Sequence, residues 1–198
     1  MPESKEDDEQ VPDMSLLDII DGKNEREIPI AKFIDDIGKF SESFQPPASA
    51  ELLIGAYTQL YNKYKSYEAS LTRKQQHLDV KIPDLENSLK LIQQLLKKKE
   101  EGESGVVRYS LADNIYAKAD LDYDGTVNLW LGANVMLEYT YEEAIEFLAK
   151  NESRAKSEAG EVEKDLAFVR DQIVVCEVLQ SRIYNWDVRR RRALEQKA

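Results

Sequence analysis

The stretch that decides the fold is Val127-Asn128-Leu129-Trp130-Leu131-Gly132-Ala133-Asn134-Val135-Met136-Leu137-Glu138-Tyr139. Apolar side chains alternate with larger or polar ones on both sides of a Gly-Ala-Asn turn. An alternation of period two over runs this short predicts strands with one buried face. Residues 106–111 and 114–119 carry a similar pattern, and the Asp-Gly pair at 124–125 supplies a turn. We therefore expect two β-hairpins in series over residues 106–139.

A long helix is predicted before these strands, over residues 48–102. Ser49 follows two prolines and has the side chain of an N-cap, and Glu51 places a carboxylate in the first turn. Apolar residues then recur at alternating steps of four and three, which is the seam of a left-handed coiled coil. Lys74 interrupts this seam, and Gly102 is suited to end the helix. The seam residues are Leu53, Tyr57, Leu60, Tyr64, Tyr67, Leu71, Lys74, Leu78, Ile82, Leu85, Leu89, Ile92 and Leu96.

A second long helix is predicted after the strands, over residues 140–195. It opens with Thr140-Tyr141-Glu142-Glu143, which has the form of a capping box. Because the strands join the two helices at one end, the helices must fold back on each other antiparallel. The second seam consists of Tyr141, Ile145, Leu148, Glu152, Ala155, Ala159, Val162, Leu166, Val169, Ile173, Cys176, Gln180 and Ile183.

The first helix contains an irregularity near its middle. Consecutive four-residue steps meet at Leu78, and Pro83 removes the amide that would bond to the carbonyl of Asp79. Such a stutter locally unwinds a supercoil. Because the seam continues on both sides, we expect a kink rather than a break. Aligning Glu101 with Thr140 places this kink opposite the small residues Ala155, Ala159 and Gly160, which is consistent with the pairing.

Residues 1–47 are expected to form a mostly disordered acidic tail, and residues 48–198 the folded domain. Charged residues crowd the start of the tail, and prolines interrupt the remainder. The island Ile28-Pro29-Ile30-Ala31-Lys32-Phe33-Ile34-Asp35-Asp36-Ile37 is richer in apolar side chains. Two interpretations of this island stay open: a short docking segment, or a collapsed patch in a flexible tail.

The bulk composition excludes several classes of protein. A chain with a net charge of −11 does not offer the basic surface that contacts with nucleic-acid phosphates need, so we expect no nucleic-acid partner. No apolar run approaches the length a bilayer requires, and the N-terminus is acidic, so we expect no membrane partner. The single cysteine, Cys176, excludes an internal disulfide and fits a reducing compartment. We expect a soluble cytoplasmic protein and leave a nuclear pool open.

No catalytic constellation is found. Residues 120–128 imitate the start of a calcium loop, but the twelfth position needs a bidentate glutamate and holds Leu131. A turn between strands explains the Asp-Gly pair, with calcium a distant second. His77 is the only histidine and has no ligand set, and Cys176 falls on the seam as a small apolar residue. We therefore expect no enzyme activity, no cofactor and no metal site.

The sequence resembles the α-class subunits of prefoldin, a hexameric co-chaperone family. The resemblance is carried by residues 110–119, 129–139 (with the specific run Leu-Trp-Leu-Gly-Ala-Asn), 165–172 and 184–188, and by Lys81-Ile82-Pro83 and Ile28-Pro29. It implies an α+β fold in which a long antiparallel two-helix coiled coil is joined by a double β-hairpin. Strands of two α-class and four β-class subunits would assemble into an oligomeric β-barrel. The helical tips would hold non-native actin and tubulin without ATP and pass them to the cytosolic group II chaperonin.

Elementary physics also predicts assembly. Four short strands on a helical hairpin leave edges and an apolar face unpaired, which is unstable in an isolated chain. Neighbouring subunits would pair with the strand edges and cover the apolar face. The residues expected to carry subunit assembly, called here the assembly residues, are Ile115, Leu129, Leu131, Gly132, Val135 and Leu137.

The helix ends away from the strands hold the candidates for client binding. Where coiled-coil pairing frays, apolar groups can face a client, and weak contacts from several arms add up. The candidates, called here the tip residues, are Leu52, Leu53, Tyr57, Ile183 and Trp186. A simpler interpretation is that they only close the coiled coil, and both roles are compatible. An alternative function, a structural coiled-coil subunit of a tether or scaffold complex, predicts no affinity for unfolded protein.

Overall fold

The computed structural model of the chain describes residues 16–102, 105–121 and 123–196. The chain divides into two compact units, one of Met1–Thr72 with Lys164–Ala198 and one of Arg73–Glu163. We call these the terminal unit and the central unit. The elements are a 3-10 turn at Leu16–Ile19, strands β1 Ile20–Lys23 and β2 Pro29–Ala31, helices α1 Ile37–Glu42 and α2 Ala50–Glu101, strands β3 Gly105–Ala112, β4 Ile115–Leu121, β5 Thr126–Gly132 and β6 Val135–Thr140, and helix α3 Tyr141–Glu195.

The two long helices predicted from the seams are confirmed, and so are their end signals. The Ser49 hydroxyl accepts a 3.2 Å hydrogen bond from the Leu52 amide at the start of α2. Gly102 follows the last turn with a φ of 66°, the left-handed conformation that glycine adopts without penalty. At the start of α3, the Glu143 amide donates to the Thr140 hydroxyl and the Thr140 amide donates to the Glu143 carboxylate, at 3.3 and 3.1 Å. These two bonds form the predicted capping box.

The two predicted hairpins are also confirmed. Strands β3 and β4 pair antiparallel, and so do β5 and β6. Among the described residues, the two pairs form separate two-stranded sheets, so each hairpin has strand edges without a strand partner in this chain. The second hairpin closes through the two-residue loop Ala133-Asn134, in which both residues have positive φ. This combination defines a type I′ turn, which matches the twist of the flanking strands.

The central unit has a small core at the junction of helices and strands. Val127, Leu129 and Tyr139 of the second hairpin pack on this core and are half-buried. The Lys156 ammonium group forms a 2.7 Å ion pair with Glu86, which agrees with the antiparallel pairing predicted around Pro83. Helix α2 is continuous through Pro83. The buried core residues are Leu89, Ile92, Tyr141, Ala144 and Leu148.

The terminal unit has the larger core, and it is built from three layers of chain rather than two. Seam residues of α2 and α3, together with Leu179 beside the seam, form a surface that we call the covered face. A segment that precedes α2 lies over this surface, and its Ile19, Ile28, Ala31, Ile34 and Ile37 are buried in the same cluster. The covered face consists of Leu53, Tyr57, Leu60, Tyr64, Val169, Ile173, Cys176, Leu179 and Ile183.

The structure therefore differs from the disordered tail expected over residues 1–47. Residues 16–48, called here the N-terminal segment, contain β1, β2 and α1, while residues 1–15 lie outside the described residues. Strands β1 and β2 pair antiparallel, and the Asn24 side chain closes their turn by accepting from the Arg26 and Ile28 amides. The island at residues 28–37 is a docking segment, because burial of its aliphatic side chains against the helices offsets its poor intrinsic propensity.

Candidate functional site

The N-terminal segment is held on the covered face through its main chain. The Tyr57 hydroxyl donates a 2.8 Å hydrogen bond to the carbonyl of Lys32, and the Tyr64 hydroxyl donates one of the same length to the carbonyl of Pro29. The side-chain oxygen of Gln172 accepts a 2.8 Å bond from the Ala31 amide. Three side chains of the long helices thus bind main-chain groups of residues 29–32, a stretch that contains strand β2.

Charged contacts lie at the rim of this surface. Arg26 forms an ion pair with Asp165 of α3. The Arg182 guanidinium donates a 2.7 Å bond to the Asp35 carbonyl and lies 5.0 Å from the centre of the Phe33 ring. These contacts are more exposed than the three hydrogen bonds to residues 29–32, so each contributes little by itself.

The tip residues all join one cluster, but they do not form an open surface. Leu53, Tyr57 and Ile183 are fully buried, and Leu52 and Trp186 are half-buried against them. The cover is the N-terminal segment, for which the sequence predicts a mostly disordered tail. In the described state, Leu53, Tyr57 and Ile183 can reach another protein only after this segment moves away, whereas Leu52 and Trp186 are partly exposed.

Two further residues of this site were missed as binding groups. Tyr64 was interpreted as a packing residue of the seam, and Gln172 was not singled out. A signal was present in the sequence, because a buried phenol needs a hydrogen-bond partner that two apolar seams do not supply. Gln172 is 8% exposed and lies off the seam, so only a third layer of chain explains its burial.

Burial in the terminal unit makes two tyrosine hydroxyls and the cysteine thiol hard to ionise. Desolvation raises the pKa of Tyr57 and of Tyr64 well above the usual range, with the Cys176 thiol a smaller cause. Burial raises the pKa of the Cys176 thiol to about 11, with Glu177 a smaller cause. Cys176 is therefore a neutral, buried thiol at physiological pH, as a small apolar seam residue should be.

The assembly residues lie on the two hairpins of the central unit, where most of them are exposed. Ile115 is exposed on β4, and Leu131, Val135 and Leu137 are each 40 to 47% exposed on the second hairpin. Leu129 is half-buried because it packs on the core below it. Gly132 adopts a φ of 94° where β5 enters its turn. The structure therefore assigns Leu129 to support of the hairpin as well as to its apolar surface.

The exposed apolar surface of the hairpins is larger than the assembly residues alone. The assembly residues lie mainly on one face of the second hairpin, whereas side chains on its opposite face and on the first hairpin are also exposed. The further exposed apolar residues are Val106, Val107, Tyr109, Leu111, Tyr116, Trp130 and Met136.

The remaining candidates carry no site among the described residues. The Thr126 amide donates a 2.9 Å bond to the Asp124 carboxylate, which lowers the pKa of Asp124 and forms the predicted turn. Asp122, within the calcium-like stretch, lies outside the described residues. In the part of the chain that the structure describes, no three His, Cys, Asp or Glu side chains gather as metal ligands, and no helix is long and apolar enough to cross a membrane.

Comparison with known proteins gives a consistent result. A family model described as Prefoldin subunit matches residues 64–186. Prefoldin subunit 3 of Homo sapiens is 42% identical over 165 residues, which cover 83% of each chain. Prefoldin subunit 3 of Saccharomyces cerevisiae is 38% identical over 183 residues, covering 88% of this chain and 90% of the yeast protein. A filamentous prefoldin from Methanocaldococcus jannaschii matches 57% of this chain and 90% of its own, at 21% identity and a TM-score of 0.46.

Proposed function

The chain belongs to the prefoldin family, and on that premise we propose that it acts as an ATP-independent holdase subunit of a heterohexamer with two α-class and four β-class members. Other prefoldin subunits are its partners. The observation that carries the proposal is the exposed apolar surface of two hairpins whose edges lack strand partners in the described chain. Strands of neighbouring subunits would cover this surface and complete a barrel.

The second part of the proposal concerns the proteins that the hexamer captures and the surface that binds them. We propose that the hexamer captures non-native actin and tubulin, and that the terminal units of its subunits make the contacts. The covered face is rich in aliphatic and aromatic side chains, the kind of surface that binds unfolded chains by excluding water. Each arm would bind weakly, and several arms together would raise the residence time of the client. Transfer to a group II chaperonin in the cytoplasm, with a nuclear pool, completes the proposed activity.

Reconstitution tests this function directly. The chain is mixed with the other subunits of a prefoldin hexamer, and the mass of the complex is measured. Denatured actin is then diluted into buffer with the hexamer, and light scattering records aggregation. A hexamer that suppresses scattering and releases actin to an added chaperonin supports the proposal. A hexamer that forms but leaves scattering unchanged favours the scaffold alternative. A subunit mixture without this chain is the control.

A further inference from the structure

We propose that the covered face is a peptide-binding site for one extended, apolar segment of a non-native protein. The chain's own N-terminal segment occupies this site until such a segment displaces it. This inference rests on the proposed holdase function and names the site, the binding mode and the competitor. The tip residues Leu53, Tyr57 and Ile183 thus belong to the site, but a built-in ligand covers them.

The hydrogen bonds in the site do not depend on the side chains of the ligand. Tyr57 and Tyr64 bind carbonyl groups, and Gln172 binds an amide. Nearly every residue of any polypeptide offers these groups. An acceptor that recognises the main chain can therefore take many sequences, which is the requirement for a holdase. Strand-like peptides are bound in a comparable way where main-chain bonds give affinity and pockets give preference.

The pockets define the preferred ligand. Ile28, Pro29, Ala31 and Ile34 are buried, whereas Phe33 is 50% exposed. The site therefore prefers a segment with small or aliphatic side chains at the buried positions. Such runs are buried in native proteins and exposed in non-native ones. The site distinguishes a client by its folding state rather than by its identity.

The N-terminal segment is built so that it can leave without unfolding the helices. Helix α2 is capped by Ser49, and helix α3 by Thr140, so neither depends on the segment for its start. Strands β1 and β2 form a two-stranded sheet, which is marginally stable away from a supporting surface. Because the segment is tethered to α2, its high effective concentration lowers the apparent affinity for any competitor. Weak, reversible capture by each arm is the consequence.

A matched pair of substitutions in the full-length chain, within the reconstituted hexamer, tests this competition. Ile34→Asp places a charge at a buried position of the N-terminal segment, whereas Phe33→Asp places it at the exposed neighbouring position. Both leave the covered face itself unchanged. We expect Ile34→Asp to tighten the binding of fluorescently labelled, denatured actin by about tenfold, because a larger fraction of sites is open. Phe33→Asp should leave the affinity near that of the unchanged chain.

Hydrogen exchange on the unsubstituted hexamer provides a second measurement that needs no variant to fold. The Ala31 amide is bonded to Gln172 and the Lys32 amide to the Ile19 carbonyl, so both should be protected in the free hexamer. Adding denatured actin should remove this protection. If protection stays while actin is bound, or if Ile34→Asp weakens capture, the segment is a fixed part of the fold and the inference is overturned. The holdase function then still stands, whereas a hexamer that captures no client overturns both.

Discussion

The phenolic hydroxyl of Tyr64 donates a 2.8 Å hydrogen bond to the carbonyl oxygen of Pro29, although 35 residues separate the two along the chain. Tyr64 is fully buried at a seam position that an unassisted pair of helices would fill with an aliphatic side chain. A buried phenol without a partner would destabilise the fold. The seam of the terminal unit is therefore adapted to a third layer of chain, and this layer is the N-terminal segment.

Removing the Tyr64 hydroxyl tests how strongly it holds the segment. Tyr64→Phe leaves the Pro29 carbonyl without its donor, which costs about 1 to 3 kcal/mol for a buried group. We expect the Ala31 amide to exchange at least about fivefold faster in the variant, since the segment opens more often. Tyr184→Phe, at a side chain that is 63% exposed, is the control and should not change the exchange rate. Equal rates in all three proteins would mean that the hydroxyl does not hold the segment.

The buried thiol of Cys176 leads to a second prediction, which concerns the pH dependence of the free energy of unfolding. Its pKa rises from 9.0 to about 11 on folding, so only the unfolded chain loses the thiol proton as the pH passes 9. The folded chain favours the neutral thiol. The contribution of this thiol to the free energy of unfolding is therefore fully present below about pH 9 and declines above it. Linkage gives a loss of about 1 kcal/mol between about pH 9 and 10.

Urea unfolding followed by helical circular dichroism measures this effect. Cys176→Ala lowers stability at every pH through the cavity it creates, so the comparison is of slopes rather than of absolute values. We expect the variant to lose less stability than the unchanged chain across this interval. Tyr57 and Tyr64 contribute to the slopes of both proteins, because burial, the largest cause of their raised pKa values, is present in both and the unfolded tyrosines ionise near 10. Identical slopes would show that the thiol is accessible to water in the folded chain.

The long helices and the hairpins could be predicted from sequence because their determinants are local. Ser49 and the capping box at Thr140 fix where the helices begin, and the heptad seams mark the buried face without knowledge of the partner. The hairpins follow from period-two alternation and the turn at residues 132–134. Each of these signals acts within a few residues of the position that it determines.

The N-terminal segment could not be predicted because its stability is not local. Its hydrogen bonds go to Tyr57, Tyr64 and Gln172, which are distant in sequence, and its prolines and acidic residues are typical of disorder. Leu179 is fully buried although it lies off the predicted seam, because a third layer covers it. The tip residues lie in one cluster, but the sequence did not reveal their cover, and client binding by them stays a prediction.

The turn of the second hairpin carries removable strain. Ala133 has a φ of 48°, a left-handed conformation that costs an L-residue about 1 kcal/mol or more. Ala133→Gly should raise the free energy of unfolding by about 0.5 kcal/mol, since the flexibility of glycine in the unfolded chain offsets part of the gain. The same substitution at Ala149, exposed inside α3, should lower stability by about 1 kcal/mol. Thermal unfolding of both variants checks that the two substitutions change stability in opposite directions. A loss of stability in both variants would show that Ala133 is not strained.

Charging the second hairpin should prevent assembly while the fold remains. Leu131→Lys combined with Val135→Lys places two ammonium groups on a surface that neighbouring subunits would have to desolvate. We expect the variant to fail to co-purify with the other prefoldin subunits, with helical circular dichroism largely intact. Val174→Lys with Val178→Lys makes the same chemical change at exposed positions of α3 and should assemble normally. A hairpin variant that still enters the hexamer would place the assembly surface elsewhere.

Pro83 costs stability without interrupting its helix. Helix α2 is continuous through this residue, which has no amide to donate to the Asp79 carbonyl. Pro83→Ala restores that donor and should raise the thermal midpoint of the chain, with a limit of about 3 kcal/mol in free energy. Asp84→Ala, at the exposed neighbouring position, controls for helix propensity alone and should have a much smaller effect. If Pro83→Ala lowers the midpoint instead, the proline is needed for packing, because a straighter α2 would then fit α3 less well.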